Sequence, residues 1–266
     1  MWVLLLLDCL FWGVVAPPLA WLIFPLLRLI AVACPPSPTF GIKVHTPWDM
    51  LLHGYLSMHS IRMIDADGED GLFVPNVAEI KGAYLMNHRS WGDFVVDPAQ
   101  AAATVVARLA AVAVTLLAGA TGLLCRKVVM IRRGKTSRQQ LMAMCAKHKR
   151  YLIYPEGTRR ANQANADEPV PLKPGGLKNI YEAGDAAHIV ITVGKEDIVN
   201  EKHGHMSCST MLFRARHPPI LPADYPSFEA FLAEVQQAWE QTWRRAYQLR
   251  EEVKAGNALR SDKSLL

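Results

Sequence analysis

The sequence predicts an α/β fold: a central mixed sheet flanked by helices, led by a hydrophobic, membrane-anchoring helical segment. Three observations predict it. From residue 79 onward, short strand-like runs alternate with helical stretches, the pattern of a sheet packed in layers with helices. The first 34 residues are apolar except for Asp8 and Arg28. Residues 227–254 repeat apolar side chains at spacings of three and four, the mark of an amphipathic helix. We divide the 266 residues into an anchor and linker (1–39), an α/β domain (40–226) and a C-terminal helix and tail packed on it (227–266).

In the anchor, Ala16-Pro17-Pro18 interrupts the apolar run. Each half is shorter than the roughly 20 residues that cross a bilayer. Two readings follow: one long span kinked at the prolines, or a hairpin that dips into one leaflet and returns. A cleaved secretion signal is disfavoured, because no basic residue precedes Arg28 and the apolar region is too long. Pro35-Pro36-Ser37-Pro38 is a stiff connector. His45, His53 and His59 have no metal-ligand spacing and are read as structural or surface residues. The run Asp65-Ala66-Asp67-Gly68-Glu69-Asp70-Gly71 lacks the ligand pattern of a calcium loop and is expected to be a solvated turn.

The expected strands are residues 80–86, 127–131, 151–154, 188–193 and 210–214; the expected helices are 98–124, 137–149 and 175–183. Within the first helix, 109–125 is an uncharged Ala- and Leu-rich run. It is expected to be buried in the domain or to dip into the bilayer without crossing. The C-terminal helix is expected to pack on the domain, with a membrane contact through its tryptophans as the sharper alternative and a frayed last dozen residues.

Composition narrows the function. A hydrophobic fraction of 51% and a mean hydropathy of +0.09 are high for a freely soluble enzyme. The five cysteines (Cys9, Cys34, Cys125, Cys145, Cys208) are scattered and odd in number, which argues against a disulfide framework or a zinc site and fits a reducing compartment. From residue 126 to 160 there are eleven Lys and Arg against one acid, Glu156. That is +10 locally in a chain of net charge +5, and such a cluster suits an anionic ligand or surface.

The chemistry concentrates in Asn87-His88-Arg89-Ser90-Trp91-Gly92-Asp93. Imidazole is suited to taking and returning a proton near neutral pH. A carboxylate on one ring nitrogen fixes the tautomer and stabilises the imidazolium. A spacing of five does not put two groups on one helix face. The pair works if His88 is on a loop leaving a strand and Asp93 is in the first turn of the next helix. A second stretch, Tyr154-Pro155-Glu156-Gly157-Thr158-Arg159, follows an apolar run and reads as a strand entering a tight polar turn.

Asn-His-x4-Asp followed downstream by Pro-Glu-Gly-Thr-Arg resembles the glycerolipid acyltransferase family, whose best-known branch is lysophosphatidate acyltransferase. The resemblance covers about residues 80 to 215. Met130-Ile131-Arg132-Arg133 occupies the place of the family's third block, usually Phe-Ile-Asp-Arg, with Arg132 at the aspartate position and Arg133 at the arginine. Pro171-Leu172-Lys173-Pro174-Gly175-Gly176 is similar to the Lys-Gly segment before the last strand. That strand, 187–193, lacks the family's prolines.

The resemblance implies transfer of a fatty acyl group from acyl-CoA to the free hydroxyl of 1-acyl-sn-glycerol 3-phosphate, giving phosphatidate. His88 is then the general base and Asp93 its orienting partner. Arg159 is the strongest candidate for the acceptor phosphate, with Lys173 and Arg133 in support. Whether Arg132 or Arg133 faces the ligand stays open. Glu156 either contacts the acceptor or holds Arg159. Gly157 permits the turn, and Thr158 bonds the backbone there. Asn87 braces the loop, and Ser90 beside His88 is a supporting residue. No cofactor and no metal are required; acyl-CoA is a co-substrate. The implied partners are acyl-CoA, lysophosphatidate or a related lysophospholipid, and a lipid bilayer. Nucleic acid is not expected, since no stacking aromatics or recognition helix accompany the charges. The expected place is an intracellular membrane, the endoplasmic reticulum, with His88 facing the cytosol. The alternatives are another lysophospholipid or glycerol 3-phosphate as acceptor, or an inactive relative that binds anionic lipid.

Overall fold

The computed structural model describes residues 2–33, 46–66, 81–132, 134–159, 168–200, 205–207 and 209–263. In chain order its elements begin with α1 (Trp2–Leu10), a π-helical turn at Phe11–Val15, α2 (Ala16–Ala33), α3 (Pro47–Met58) and β1 (Arg62–Asp65). Then come β2 (Gly82–Met86), α4 (Asp93–Ala101), β3 (Thr104–Arg108), α5 (Leu109–Val114), α6 (Leu116–Leu124) and β4 (Val128–Ile131). They are followed by α7 (Arg138–Cys145), β5 (Arg150–Ile153), α8 (Pro174–Ala183), β6 (Ala186–Val193) and α9 (Lys195–Ile198). The chain closes with β7 (Val199–Asn200), β8 (His205–Met206), β9 (Met211–Arg216), a 3-10 turn at Pro222–Asp224 and α10 (Phe228–Lys263).

Seven strands form one mixed sheet in the order β1-β9-β6-β2-β5-β3-β4. All neighbours are parallel except β6 and β9. Every residue of β2 and β6 is buried, as expected for parallel strands covered on both faces. One layer of core lies between the sheet and α8 and α10, around Leu85, Ile189, Leu177, Phe231, Trp239 and Trp243. The other lies under α3 and α4, around Leu52, Leu56, Val96 and Leu212. All five expected strands are present, as are the helices α7 and α8.

The expected helix over 98–124 is instead α4, β3, α5 and α6. Ala102 adopts a left-handed conformation (φ 47°) that stops α4, and the β-branched Thr104-Val105-Val106 then suits a strand. The Ala- and Leu-rich run breaks again at Leu116 (φ 50°). Gly119 lets α6 lie close to α5, where an added Cβ would stand 2.4 Å from the Val112 carbonyl. Each helix is far too short to cross a bilayer. Val112, Thr121 and Gly122 are buried, whereas Leu109, Leu116, Leu117 and Leu124 are exposed.

Two further expectations change. Asp65 is not part of a solvated turn; it is buried on β1 and paired with Arg214 at 2.6 Å. Residues 67–71 of that run fall outside the described residues. The helix α10 runs on to Lys263 rather than fraying after 254. Its tryptophans do not face a membrane: Trp239 and Trp243 are fully buried against the sheet. Truncating such a residue to alanine costs about 3–5 kcal/mol, so α10 belongs to the domain's core.

The N-terminal segment is one continuous helix, not a hairpin. The backbone remains right-handed helical at Leu10 and Ala16, on either side of the π-helical turn. Leu6–Leu26 is long and apolar enough to cross a membrane. One side of it nonetheless lies on the domain. Asp8 pairs with His59 at 3.2 Å, Trp12 packs on Tyr55, Ala16 and Ala20 meet Leu51, and Trp21 Nε1 donates to Thr121 Oγ1 at 3.3 Å. The other side exposes Leu6, Leu7, Leu10, Val14, Leu22 and Leu26. The connector at 35–38 and His45 lie outside the described residues; His53 and His59 are buried.

Candidate active site

Three adjacent parallel strands, β5, β2 and β6, end together, and the polar residues of the sequence follow their carboxyl ends. This is where open α/β sheets place ligands. Asn87 to Gly92 form the loop from β2 to α4, and Asp93 is the first residue of α4. His88 therefore sits on the loop and Asp93 in the first helical turn. Their side chains meet: His88 Nδ1 and Asp93 Oδ2 are 2.7 Å apart. The same oxygen accepts the backbone N–H groups of Arg89 at 2.5 Å and Ser90 at 3.1 Å. Three donors on one buried oxygen fix the carboxylate and, through it, the imidazole tautomer.

The loop is braced from both sides. Asn87 donates from Nδ2 to the Thr192 carbonyl at 2.9 Å and accepts from Thr192 N at 3.0 Å, extending the β2–β6 ladder by one rung. Ser90 Oγ donates to the Lys195 carbonyl at 2.9 Å and accepts from Gly92 N at 3.0 Å. Its oxygen holds backbone in place and is fully buried. On the β5 side, the fully buried Glu156 accepts the His88 backbone N–H at 2.9 Å through Oε1. The structure thus gives Glu156 a bracing contact with the first motif that the sequence did not suggest.

The second motif forms the turn after β5. Gly157 has φ 74°, and its N–H donates to the Tyr154 carbonyl at 3.0 Å. A side chain there would also collide with Lys173, whose Cδ and Nζ lie 2.7 Å from the position of an added Cβ. Lys173 is anchored by its own N–H to the Pro155 carbonyl at 2.9 Å, immediately before α8. Thr158 is exposed. Arg159 is exposed and lays its guanidinium over the Trp91 ring, 4.7 Å from the centroid. Since Trp91 belongs to the His88 loop, this contact joins the two motifs. Arg133 lies outside the described residues; Arg132, beside it at the end of β4, is exposed.

Four residues of the site were not singled out in the sequence. Tyr154 stacks on the His88 ring, with centroids 4.1 Å apart and planes 13° from parallel. Trp91 carries Arg159. Lys195 and Asp97 are fully buried behind Asp93. Lys195 Nζ lies 3.3 Å from Asp93 Oδ1, 2.8 and 3.0 Å from the two Asp97 oxygens, and 2.6 Å from the Asn87 carbonyl. The one sequence signal was a lysine placed directly after an apolar strand and a glycine, Val193-Gly194-Lys195.

Charge is distributed unequally here. Burial would raise the Asp93 carboxyl, but Lys195 and the His88 hydrogen bond outweigh it and hold the group below its ordinary range. Burial pushes the Asp97 carboxyl up to about 7, with the Asp93 charge adding to the rise and Lys195 opposing it. Burial disfavours the Lys195 ammonium, yet Asp93 and Asp97 together keep it above its ordinary value. An ionised Asp93 beside His88 is the state a general base requires. Among the described residues no group of three or more His, Cys, Asp or Glu side chains is arranged to hold a metal.

The fold has a solved counterpart. The chain is similar to the crystal structure of the 1-acyl-sn-glycerophosphate (LPA) acyltransferase, PlsC, from Thermotoga maritima. The TM-score is 0.58, over 94% of this chain and 98% of that one, at 12% sequence identity. The likeness is one of fold, and it is the fold that the two motifs imply. No protein-family model matches the chain, and no curated protein matches it in sequence.

Proposed function

We propose that this chain is a glycerolipid acyltransferase that moves a fatty acyl group from acyl-CoA to the free hydroxyl of 1-acyl-sn-glycerol 3-phosphate. The observation that carries the reading is the His88–Asp93 pair at 2.7 Å, set on the strand ends beside the Arg159 turn. With Nδ1 held by Asp93, Nε2 is the nitrogen left to accept the acceptor's hydroxyl proton. The alkoxide oxygen forms a bond to the thioester carbonyl carbon. The tetrahedral intermediate then collapses, the carbon–sulfur bond breaks, and the departing thiolate takes the proton from the imidazolium. Asp93, kept ionised, stabilises that imidazolium between the two steps.

Arg159 binds the acceptor phosphate, because a guanidinium grips two oxygens with fixed geometry. Lys173, held over Gly157, adds a second cation, and Arg133 is the third candidate. No acyl-enzyme is needed: Ser90 Oγ is committed to the backbone and buried, and the Cys145 thiol is pushed up to about 11 by burial.

The proposed partner surface is a lipid bilayer. The N-terminal helix touches the domain from Asp8 to Trp21, a stretch of about 20 Å at 1.5 Å per residue. A helix docked over that length presents its free side laterally. Exposed leucines of α5 and α6 add to the apolar surface of the same flank. The reading is therefore membrane contact along one face; the endoplasmic reticulum, with His88 toward the cytosol, is proposed with it because the proposed donor, acyl-CoA, is made in the cytosol.

The test is coenzyme A release by purified chain in detergent with oleoyl-CoA. Lysophosphatidate, glycerol 3-phosphate and lysophosphatidylcholine are supplied separately, with His88→Ala as the control. Release that requires lysophosphatidate and vanishes in the variant is the expected result. Release with a different acceptor reassigns the substrate. No acceptor-dependent release from folded protein overturns the transferase.

A further inference from the structure

We propose that Lys195 is a positioning residue: it fixes the orientation in which the Asp93 carboxylate grips His88, with Asp97 as its balancing charge. The inference rests on the acyl-transfer reading above. Asp93 is fully buried and has two oxygens to satisfy. Oδ2 takes three N–H donors, from His88 Nδ1, Arg89 and Ser90. Oδ1 faces Lys195 Nζ at 3.3 Å. Without that cation, Oδ1 would be a charged atom buried without compensation, which is costly. The carboxyl would take up a proton or turn toward another donor, and either change loosens the bond to His88.

Lys195 also holds the loop on the other side of His88. Its ammonium donates to the Asn87 carbonyl at 2.6 Å, and its own carbonyl accepts Ser90 Oγ at 2.9 Å. One residue thus touches positions 87, 90 and 93, which bracket the histidine. Gly194 makes this possible: its φ of 96° turns the chain sharply at the end of β6, so that Lys195 points back under the loop. Gly92 completes the fit, since an added Cβ there would stand 2.9 Å from the Lys195 carbonyl.

A purely structural ion pair would need only Asp97, which already offers both oxygens at 2.8 and 3.0 Å. The added contacts with Asn87 and Asp93 all converge on the His88 loop. The groups that touch Lys195 and its two carboxylates are Asn87 and His88 of the loop, Gln100 of α4, which donates to Asp97 Oδ1, and Tyr154 after β5, whose hydroxyl donates to the Asp93 carbonyl.

The test compares wild type, Lys195→Met and the charge-balanced Lys195→Met/Asp97→Asn in detergent. The single variant leaves two carboxylates facing each other and is at risk of unfolding. The double variant removes one charge of each sign, a change that buried ion pairs tolerate far better. Two quantities are read: steady-state kcat and KM for the acceptor, and the His88 Nδ1–H proton resonance in histidine-labelled protein, assigned by its loss in His88→Gln. In the folded double variant kcat falls on the order of 10-fold or more, as small misplacements of reacting groups do. KM for the acceptor stays at the wild-type value, and the resonance broadens or disappears. A folded double variant with wild-type kcat overturns the proposal, as does one that keeps the resonance. Absence of the resonance from wild type overturns it too. If wild type turns over no acceptor, the transferase reading fails, yet the resonance still decides whether Lys195 holds the His88–Asp93 bond.

Discussion

Two buried ion clusters sit on the same sheet, and they are built oppositely. At the carboxyl end of β6, one cation, Lys195, serves two carboxylates, Asp93 and Asp97. At the far edge, one carboxylate, Asp65, serves two cations. Arg214 Nε stands 2.6 Å and Arg216 Nε 3.2 Å from the same Asp65 oxygen. Asp65 and Arg214 are register partners on neighbouring strands. The members of the first cluster come from two helices, and Asp93 extends to a histidine that is 13% exposed. Ion pairs fixed within strand registers tie the sheet edge together. A cluster borne on the ends of elements, with a hydrogen bond running outward to a titratable ring, is the arrangement the proposed acyl transfer uses. Breaking the outward end of the first, the His88–Asp93 bond, should therefore be felt in rate, and removing a member of the second in stability.

The largest expected effect is on rate. His88→Ala lowers acceptor-dependent turnover by about 10²–10⁴-fold, the usual contribution of a general base, while the melting temperature stays near wild type because His88 is at the rim. Asp93→Asn follows closely, for an amide holds the ring in the wrong tautomer. A thermal melt beside the coenzyme A assay checks both; a large loss of stability with retained turnover would erase the distinction between the clusters. Next is Arg214→Met, which leaves Asp65 with half its compensation. It costs about 3–5 kcal/mol of stability, read by denaturant unfolding, while the folded fraction keeps wild-type kcat. A drop in kcat for that fraction would show the sheet edge to be coupled to the site. Arg159→Lys is smaller. It removes the fork that grips two oxygens and the flat contact with Trp91, so KM for a phosphate-bearing acceptor rises about 10-fold with little change in kcat. An unchanged KM would move the phosphate to Lys173.

The fold and the site were legible in the sequence to different depths. The strands that carry the motifs, β2 and β5, stood out because each is an apolar run opening into a polar turn. Their adjacency, which brings His88 to the Glu156–Arg159 turn, is a matter of strand order and was reached only through the resemblance of the two motifs to a family. β3 was hidden because alanine dominates both sides of Thr104–Arg108, so that hydropathy reads helix throughout. Lys195 was hidden for another reason. Its partners lie about a hundred positions earlier in the chain, and no local pattern marks a lysine as buried. Asp65 is hidden likewise: it opens an acidic run that looks solvated, and only the register with Arg214 removes it from water.

The smallest effect concerns the surplus acid of the site cluster. The Asp97 carboxyl is pushed up to about 7 in the folded chain, from an ordinary 3.8. A carboxyl raised by folding binds more protons in the folded than in the unfolded chain between those two values. Stability from this group is thus present in acid and declines as pH rises through the window from about 4 to 7. Asn at that position carries no charge at any pH. Asp97→Asn should therefore match wild type near the acid end and lose less melting temperature than wild type by about pH 8. Melting curves in detergent at several pH values within that range check it. Parallel curves would mean that Lys195 keeps Asp97 ionised throughout, so that both carboxylates are balanced by one cation, and the imbalance that separates this cluster from the Asp65 cluster would have no consequence for proton binding.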